Sequence, residues 1–322
     1  MNIGFLTYFN ERGTTTATYD YAKYNELILG NKSYIIYFKS ALEKNDSVSS
    51  LFIPSYKKFE NLFTTICIEH IEDILEVINK YNLTHVYFLT FGASSDFFRK
   101  DVWNATSCKI IKHCVYNTTC PEGDINCSIG RHINNGKLPI VPHMIALPNS
   151  SENLRQTLNI PLNASVFGRL GGYDMFNIPF VRQAIKNHLR SCENSYFIFM
   201  NTKPFFKHER LIYLDKNVDL DYKVKFINTC DAMIHASRDG ETFGLAVGEF
   251  SSKNKPIITF KDGLGEHLLI LKEKALLYKT KDQLSNIFKN IKTIINTRKD
   301  WNAYESYTPE KVMLQFKKYM LI

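Results

Sequence analysis

Short apolar runs of strand length alternate with longer amphipathic stretches twice over along these 322 residues, and this alternation restricts the fold more than any other feature. Strands buried on both faces read as apolar runs, and their regular alternation with helices builds a parallel sheet covered on both sides; the class is therefore α/β. In the first half the strand-length runs lie at 3–7, 34–38, 86–91, 109–116 and 138–141, with helical patterns at 17–29 and 68–81. Ile71, Ile74, Leu75 and Ile78 share one face of the second helical pattern. The cluster Pro148-Asn149-Ser150-Ser151 interrupts the alternation. A second series then predicts strands at 165–168, 196–200, 211–213, 232–235 and 256–260, and helices at 179–191, 222–230, 243–252 and 281–297. The chain exceeds what one hydrophobic core supports, so two domains of roughly 150 residues are expected. Their predicted extents are 1–148 and 149–307, followed by a helix over 308–322 with Thr308 as N-cap and Pro309 in its first turn.

With 44% hydrophobic and 13% aromatic residues, and only 15 Gly and 10 Pro, the chain reads as folded throughout. No run approaches the roughly 18 apolar residues that span a bilayer, and the opening lacks signal-peptide flanks, which predicts a cytoplasmic protein. Seven cysteines without a Cys-x-x-Cys pair argue against a disulfide framework and against structural zinc. The net charge of +8 is dispersed in doublets such as Lys57-Lys58. Such a surface does not resemble a nucleic-acid stripe; it favours an anionic ligand such as a nucleoside diphosphate, or peripheral contact with an anionic membrane.

The chemistry concentrates in His235-Ala236-Ser237-Arg238-Asp239-Gly240-Glu241-Thr242-Phe243-Gly244-Leu245, which reads as strand, polar loop and helix start, and continues to Glu249. A helix entered directly from a strand offers unpaired backbone amides and a partial positive charge, a ready site for an anion. Thr242, Phe243 and Gly244 would aim amides at a diphosphate. Glu241 and Glu249, about 12 Å apart along a helix, would meet hydroxyls at opposite ends of such a ligand. Taken alone, this spacing also fits an ordinary solvated helix.

The segment resembles the Glu-x7-Glu signature, with Phe-Gly after the first Glu, of retaining glycosyltransferases with the two-domain GT-B fold, similar to glycosyltransferase family 4 or group 1. A second element, Val166-Phe167-Gly168-Arg169-Leu170-Gly171-Gly172, resembles the opening of that family's donor domain. The resemblance implies two Rossmann-like domains facing each other across a cleft, with acceptor in the first and nucleotide sugar in the second, and a terminal helix returning to the first. It implies transfer of a glycosyl group from a nucleoside-diphosphate sugar to the hydroxyl of a carbohydrate, lipid-linked or other acceptor, with retention and without a metal or other cofactor. Arg169 would bind the diphosphate with Gly168 behind it, Glu241 the sugar and Glu249 the ribose. The family's usual second cation is replaced by Asp174, leaving Lys203 or Arg238 to supply one. In the first domain Arg12 and Gly13 match a loop near diphosphate and acceptor, and His113 resembles a histidine near the transferred sugar. Alternatives are a catalytically silent carbohydrate- or nucleotide-binding protein on this fold, or a metal-dependent enzyme using Asp219-Leu220-Asp221, a pair that reads more simply as a helix cap.

Overall fold

The computed structural model describes residues 1–42, 51–134 and 136–322. These form two units: Met1–Met144 with Tyr307–Ile322, and Ile145–Ser306. The first contains strands β1 (Asn2–Leu6), β2 (Lys32–Phe38), β3 (Thr64–Ile68), β4 (His85–Thr90), β5 (Lys109–Cys114) and β6 (Ile125–Ser128), all parallel, in the order β3-β2-β1-β4-β5-β6. Helices α1 (Gly13–Leu27), α2 (Ile53–Glu60), α3 (Ile74–Tyr81) and α4 (Lys100–Trp103) connect them. All six residues of β4 are buried, as expected of an inner parallel strand whose two faces meet helices.

The second unit repeats the plan. Strands β7 (Ser165–Leu170), β8 (Ser195–Met200), β9 (Leu211–Leu214), β10 (Ala232–Ile234), β11 (Ile257–Phe260) and β12 (Ala275–Tyr278) form a parallel sheet ordered β12-β11-β10-β7-β8-β9. Its helices are α5 (Pro179–Ser191), α6 (Leu220–Thr229), α7 (Leu245–Ser252), α8 (Glu266–Leu271) and α9 (Lys281–Asn296). Phe167 of β7 stacks on Phe197 of β8 with ring centroids 4.9 Å apart and meets Phe288 of α9 at 4.8 Å, so aromatic burial joins sheet to helix. The last helix, α10 (Pro309–Met320), belongs to the first unit, where Phe316 stacks on Tyr21 of α1 at 5.4 Å.

Two predicted elements need correction. The helix expected over 68–81 begins at Ile71, as a 3-10 turn over Ile71–Asp73 that runs into α3, because Ile68 closes β3 and the Asp73 carboxylate accepts the amides of Glu69 and His70, both at 2.9 Å, capping the start. Residues 138–141 were expected as a strand, but they touch the sheet through a single bridge between Ser128 and Ile140. Pro139, lacking an amide hydrogen, cannot extend a ladder. The strands absent from the sequence reading, β3, β6 and β12, all lie at sheet edges. Edge strands are short and lack the apolar run that marks an inner strand; in β3 only Ile68 is buried, and in β6 polar Asn126 and Ser128 interrupt the run.

Candidate functional site

Each sheet has the strand order 3-2-1-4-5-6, and in such sheets ligands bind outside the carboxyl ends of the two strands where the order reverses. In the second unit those are β7 and β10. Arg169 is the penultimate residue of β7, and β10 runs into the loop that ends at α7. Arg169 and the loop carrying Arg238, Glu241, Thr242, Phe243 and Gly244 thus follow the two strands at the reversal point of this sheet.

Arg169 is only 4% exposed. One of its terminal nitrogens donates to the Asn201 carbonyl and the Thr202 hydroxyl, both at 2.7 Å, and to the Gly171 carbonyl at 3.2 Å; the other donates to the Gly172 carbonyl at 2.5 Å. The guanidinium therefore braces the loops after β7 and β8 rather than pointing outward. Its partners are neutral oxygens, and burial pushes its pKa down to about 10 against the opposing pull of Glu241. A buried cation hydrogen-bonded only to neutral groups keeps a field that an anion at this edge would feel. Preceding it, Gly168 leaves room for the helices beneath: a Cβ there would lie 2.3 Å from Cys230 Sγ and 3.0 Å from the Phe250 ring. Gly168 is a packing residue of the site.

Asp174, where a cation was expected, faces Lys203 at 3.7 Å; both side chains are well exposed. The Lys203 amide donates to the Tyr173 carbonyl at 3.0 Å, so the two loops run together. Arg238 is exposed, its amide fixed by the Asn177 side chain at 3.0 Å.

The loop from β10 to α7 is locked against the one after β11. Gly240 has φ +67°, and a Cβ there would fall 1.4 Å from the Leu264 carbonyl oxygen, so only glycine fits. Thr242 is half-buried; Phe243 is buried, and its carbonyl accepts the Tyr304 hydroxyl at 2.9 Å. Gly244 caps α7 without a side-chain hydrogen bond, so the amides of the first turn carry the positive end of the helix toward the strand edge. The Glu241 carboxylate is 36% exposed and lies 3.2 Å from His235 Nε2. Glu249, in the second turn of α7, is buried and accepts from Lys223 Nζ at 2.6 Å. Its ion pair with Lys223 of α6 had no counterpart in the sequence reading. The two residues sit on different helices and share no periodicity that would link them.

His113, expected near the transferred sugar, is fully buried in the first unit. Its Nε2 donates to the Val141 carbonyl at 2.8 Å, which leaves Nδ1 to accept from the Tyr87 hydroxyl, also at 2.8 Å. Burial, with His143 nearby, drives its pKa well below the ordinary value. It is a neutral core histidine. Arg12 and Gly13 are exposed where α1 begins, on a loop shaped by Asn10, whose side-chain oxygen accepts the Arg12 amide at 2.9 Å and the Thr15 hydroxyl at 2.7 Å. Gly13 has an ordinary helical backbone rather than the strained turn a phosphate loop often needs. Asp219 caps α6, accepting the amides of Asp221 at 2.8 Å and Tyr222 at 3.4 Å. Among the described residues no cluster of three or more His, Cys, Asp or Glu side chains could hold a metal, and no helix is long and apolar enough to cross a membrane.

No protein-family model and no curated protein sequence matches the chain. Solved structures do match it along its whole length, and they define its class: an α/β protein of the GT-B fold. Anabaena HepE in complex with UDP-glucose is similar at a TM-score of 0.63 and 13% identity, over 99% of this chain and 95% of that one. WaaG, a glycosyltransferase involved in lipopolysaccharide biosynthesis, is similar at 0.64 and 10%, over 99% of each chain. A Listeria monocytogenes protein described as a UDP-N-acetylglucosamine 2-epimerase is similar at 0.61 and 10%, over 100% of this chain and 97% of that one.

Proposed function

We propose that the chain is a glycosyltransferase that moves a sugar from a nucleoside-diphosphate sugar to an acceptor hydroxyl, with retention and without a metal. The observation behind this reading is the meeting, at one sheet-reversal point, of a buried cation and the start of α7, whose N-cap Gly244 has no side chain, with the Glu241 carboxylate in the loop before it and Glu249 in its second turn. A diphosphate would lie against the first turn of α7 in the field of Arg169. Glu241 would accept hydrogen bonds from sugar hydroxyls at one side, and Glu249, oriented by Lys223, from ribose hydroxyls at the other. As the glycosyl bond breaks, negative charge grows on the diphosphate, and fixed amide dipoles and a buried guanidinium stabilise it without reorganising. Lys203 and Arg238, both exposed, are candidate screening cations for the leaving group.

The HepE complex makes UDP-glucose the first donor to try. Thermal shift with UDP, UDP-glucose and UDP-N-acetylglucosamine, followed by product analysis with and without an acceptor hydroxyl, tests the reading, since a ligand bound only by the folded state raises the melting temperature. Glycosylated acceptor with released nucleoside diphosphate is the expected outcome. An epimerised nucleotide sugar with no transfer would instead assign the fold's other chemistry, and no response to any nucleotide sugar would refute the reading.

A further inference from the structure

Resting on that reading of Glu241, we propose that His235, Thr259 and His267 form a directed hydrogen-bond chain that positions the Glu241 carboxylate, with His235 as its immediate positioning residue. His235 follows β10, Thr259 lies in β11 and His267 in α8, so the chain draws on three separate elements. His235 Nε2 lies 3.2 Å from Glu241 Oε1, His235 Nδ1 lies 2.9 Å from Thr259 Oγ1, and Thr259 Oγ1 lies 3.3 Å from His267 Nε2. The two imidazole rings are 4.9 Å apart. Thr259 and His267 are wholly buried and His235 is 6% exposed, while Glu241 alone opens toward solvent. The backbone of the chain is held as well: the Tyr278 hydroxyl donates to the His235 carbonyl at 2.8 Å, and the Glu266 amide to the Glu241 carbonyl at 2.9 Å.

With Glu241 ionised and both imidazole rings neutral, one polarity satisfies all three contacts. An ionised carboxylate accepts only, so His235 Nε2 carries the hydrogen. In the neutral ring Nδ1 must then accept, which takes the single hydrogen of the Thr259 hydroxyl. The Thr259 oxygen in turn accepts from His267 Nε2. Glu241 Oε1 is thereby fixed from beneath, and Oε2 is left to accept a hydroxyl of the glycosyl group. A carboxylate held in this way binds hydroxyls with less loss of side-chain freedom than an unbraced one. The chain therefore acts on recognition of the sugar and not on the nucleotide.

Two measurements test this. Histidine-selective ¹⁵N NMR of the full chain without ligand should find His235 as the Nε2–H tautomer; the Nδ1–H tautomer would overturn the proposal. Calorimetry with UDP-glucose and UDP as probes then compares His235→Gln, whose amide reaches the place of Nε2, with His235→Asn, whose amide reaches only that of Nδ1. His235→Asn should weaken UDP-glucose by about tenfold, the loss of one charge-assisted hydrogen bond, with UDP unchanged, and His235→Gln should restore most of it. Equal losses in the two variants, or equal losses for UDP and UDP-glucose, would overturn it. If the wild type binds neither probe, the donor reading falls, and the tautomer alone upholds or overturns the chain.

Discussion

At the scale of single residues, burial changes what the substitutions at the site should do. Arg169→Ala removes both a source of positive field and the brace between the loops after β7 and β8. Transfer should fall by about 100-fold or more, and Arg169→Lys should not restore it, because an ammonium cannot reproduce the planar set of four hydrogen bonds. Near-normal turnover of a folded Arg169→Ala variant would remove Arg169 from the mechanism. Glu249→Ala leaves Lys223 as a largely buried cation without this partner and should cost about 2 kcal/mol of stability, besides weakening nucleotide binding by roughly tenfold or more. A Lys223→Met/Glu249→Leu double variant separates the two effects: urea unfolding should show stability largely recovered, and calorimetry with UDP should show binding still weak. Full UDP affinity in the double variant would place the ribose elsewhere.

At the scale of elements, the loops after β10 and β11 behave as one piece. Gly240→Ala would force a Cβ into the Leu264 carbonyl at a left-handed backbone position, so it should destabilise the second unit by more than about 1 kcal/mol and lower turnover together with it. An unchanged melting temperature and rate would show that the two loops are independent. Asp219 is different in kind. Its carboxylate caps α6, so Asp219→Ala should cost about 1 kcal/mol and leave transfer resistant to EDTA. Loss of activity on chelation, restored by Mg²⁺ or Mn²⁺, would revive the metal-dependent alternative.

At the scale of the whole molecule, both units bury neutral histidines and should weaken together in acid. Burial holds the pKa of His143 down to about 3 and, with Lys289 and Arg210 nearby, that of His188 to about 4; His113 is displaced in the same direction. In the unfolded chain each would titrate near its ordinary value of 6.5. The unfolded state therefore binds more protons below that pH, so the stability present above it is lost as pH falls toward the folded values. Between pH 7.5 and 5.0 urea unfolding should show a loss of about 2 kcal/mol for each of His143 and His188, smaller in His143→Asn and His188→Asn variants. Equal stability at the two pH values would contradict their burial as neutral groups.

The sequence by itself determined what local pattern can encode. Inner strands such as β4 and β7 are apolar runs because both faces are covered, and the switch from β10 through a polar loop into α7 is written in consecutive residues. Edge strands β3 and β12 escaped that reading because partly exposed positions carry no continuous run, and β6 because Asn126 and Ser128 break its four residues. Only the tertiary structure decided what each functional side chain touches. His113 lies in a strand as expected, yet its two nitrogens are taken by Tyr87 and Val141. Glu249 sits on the predicted helix, but its partner Lys223 comes from another, and Glu241 meets a histidine chain gathered from β11 and α8. Hydrogen bonds between residues far apart in the chain leave no periodic trace, since nothing in the chain's local geometry depends on them; they exist only once packing has brought their elements together.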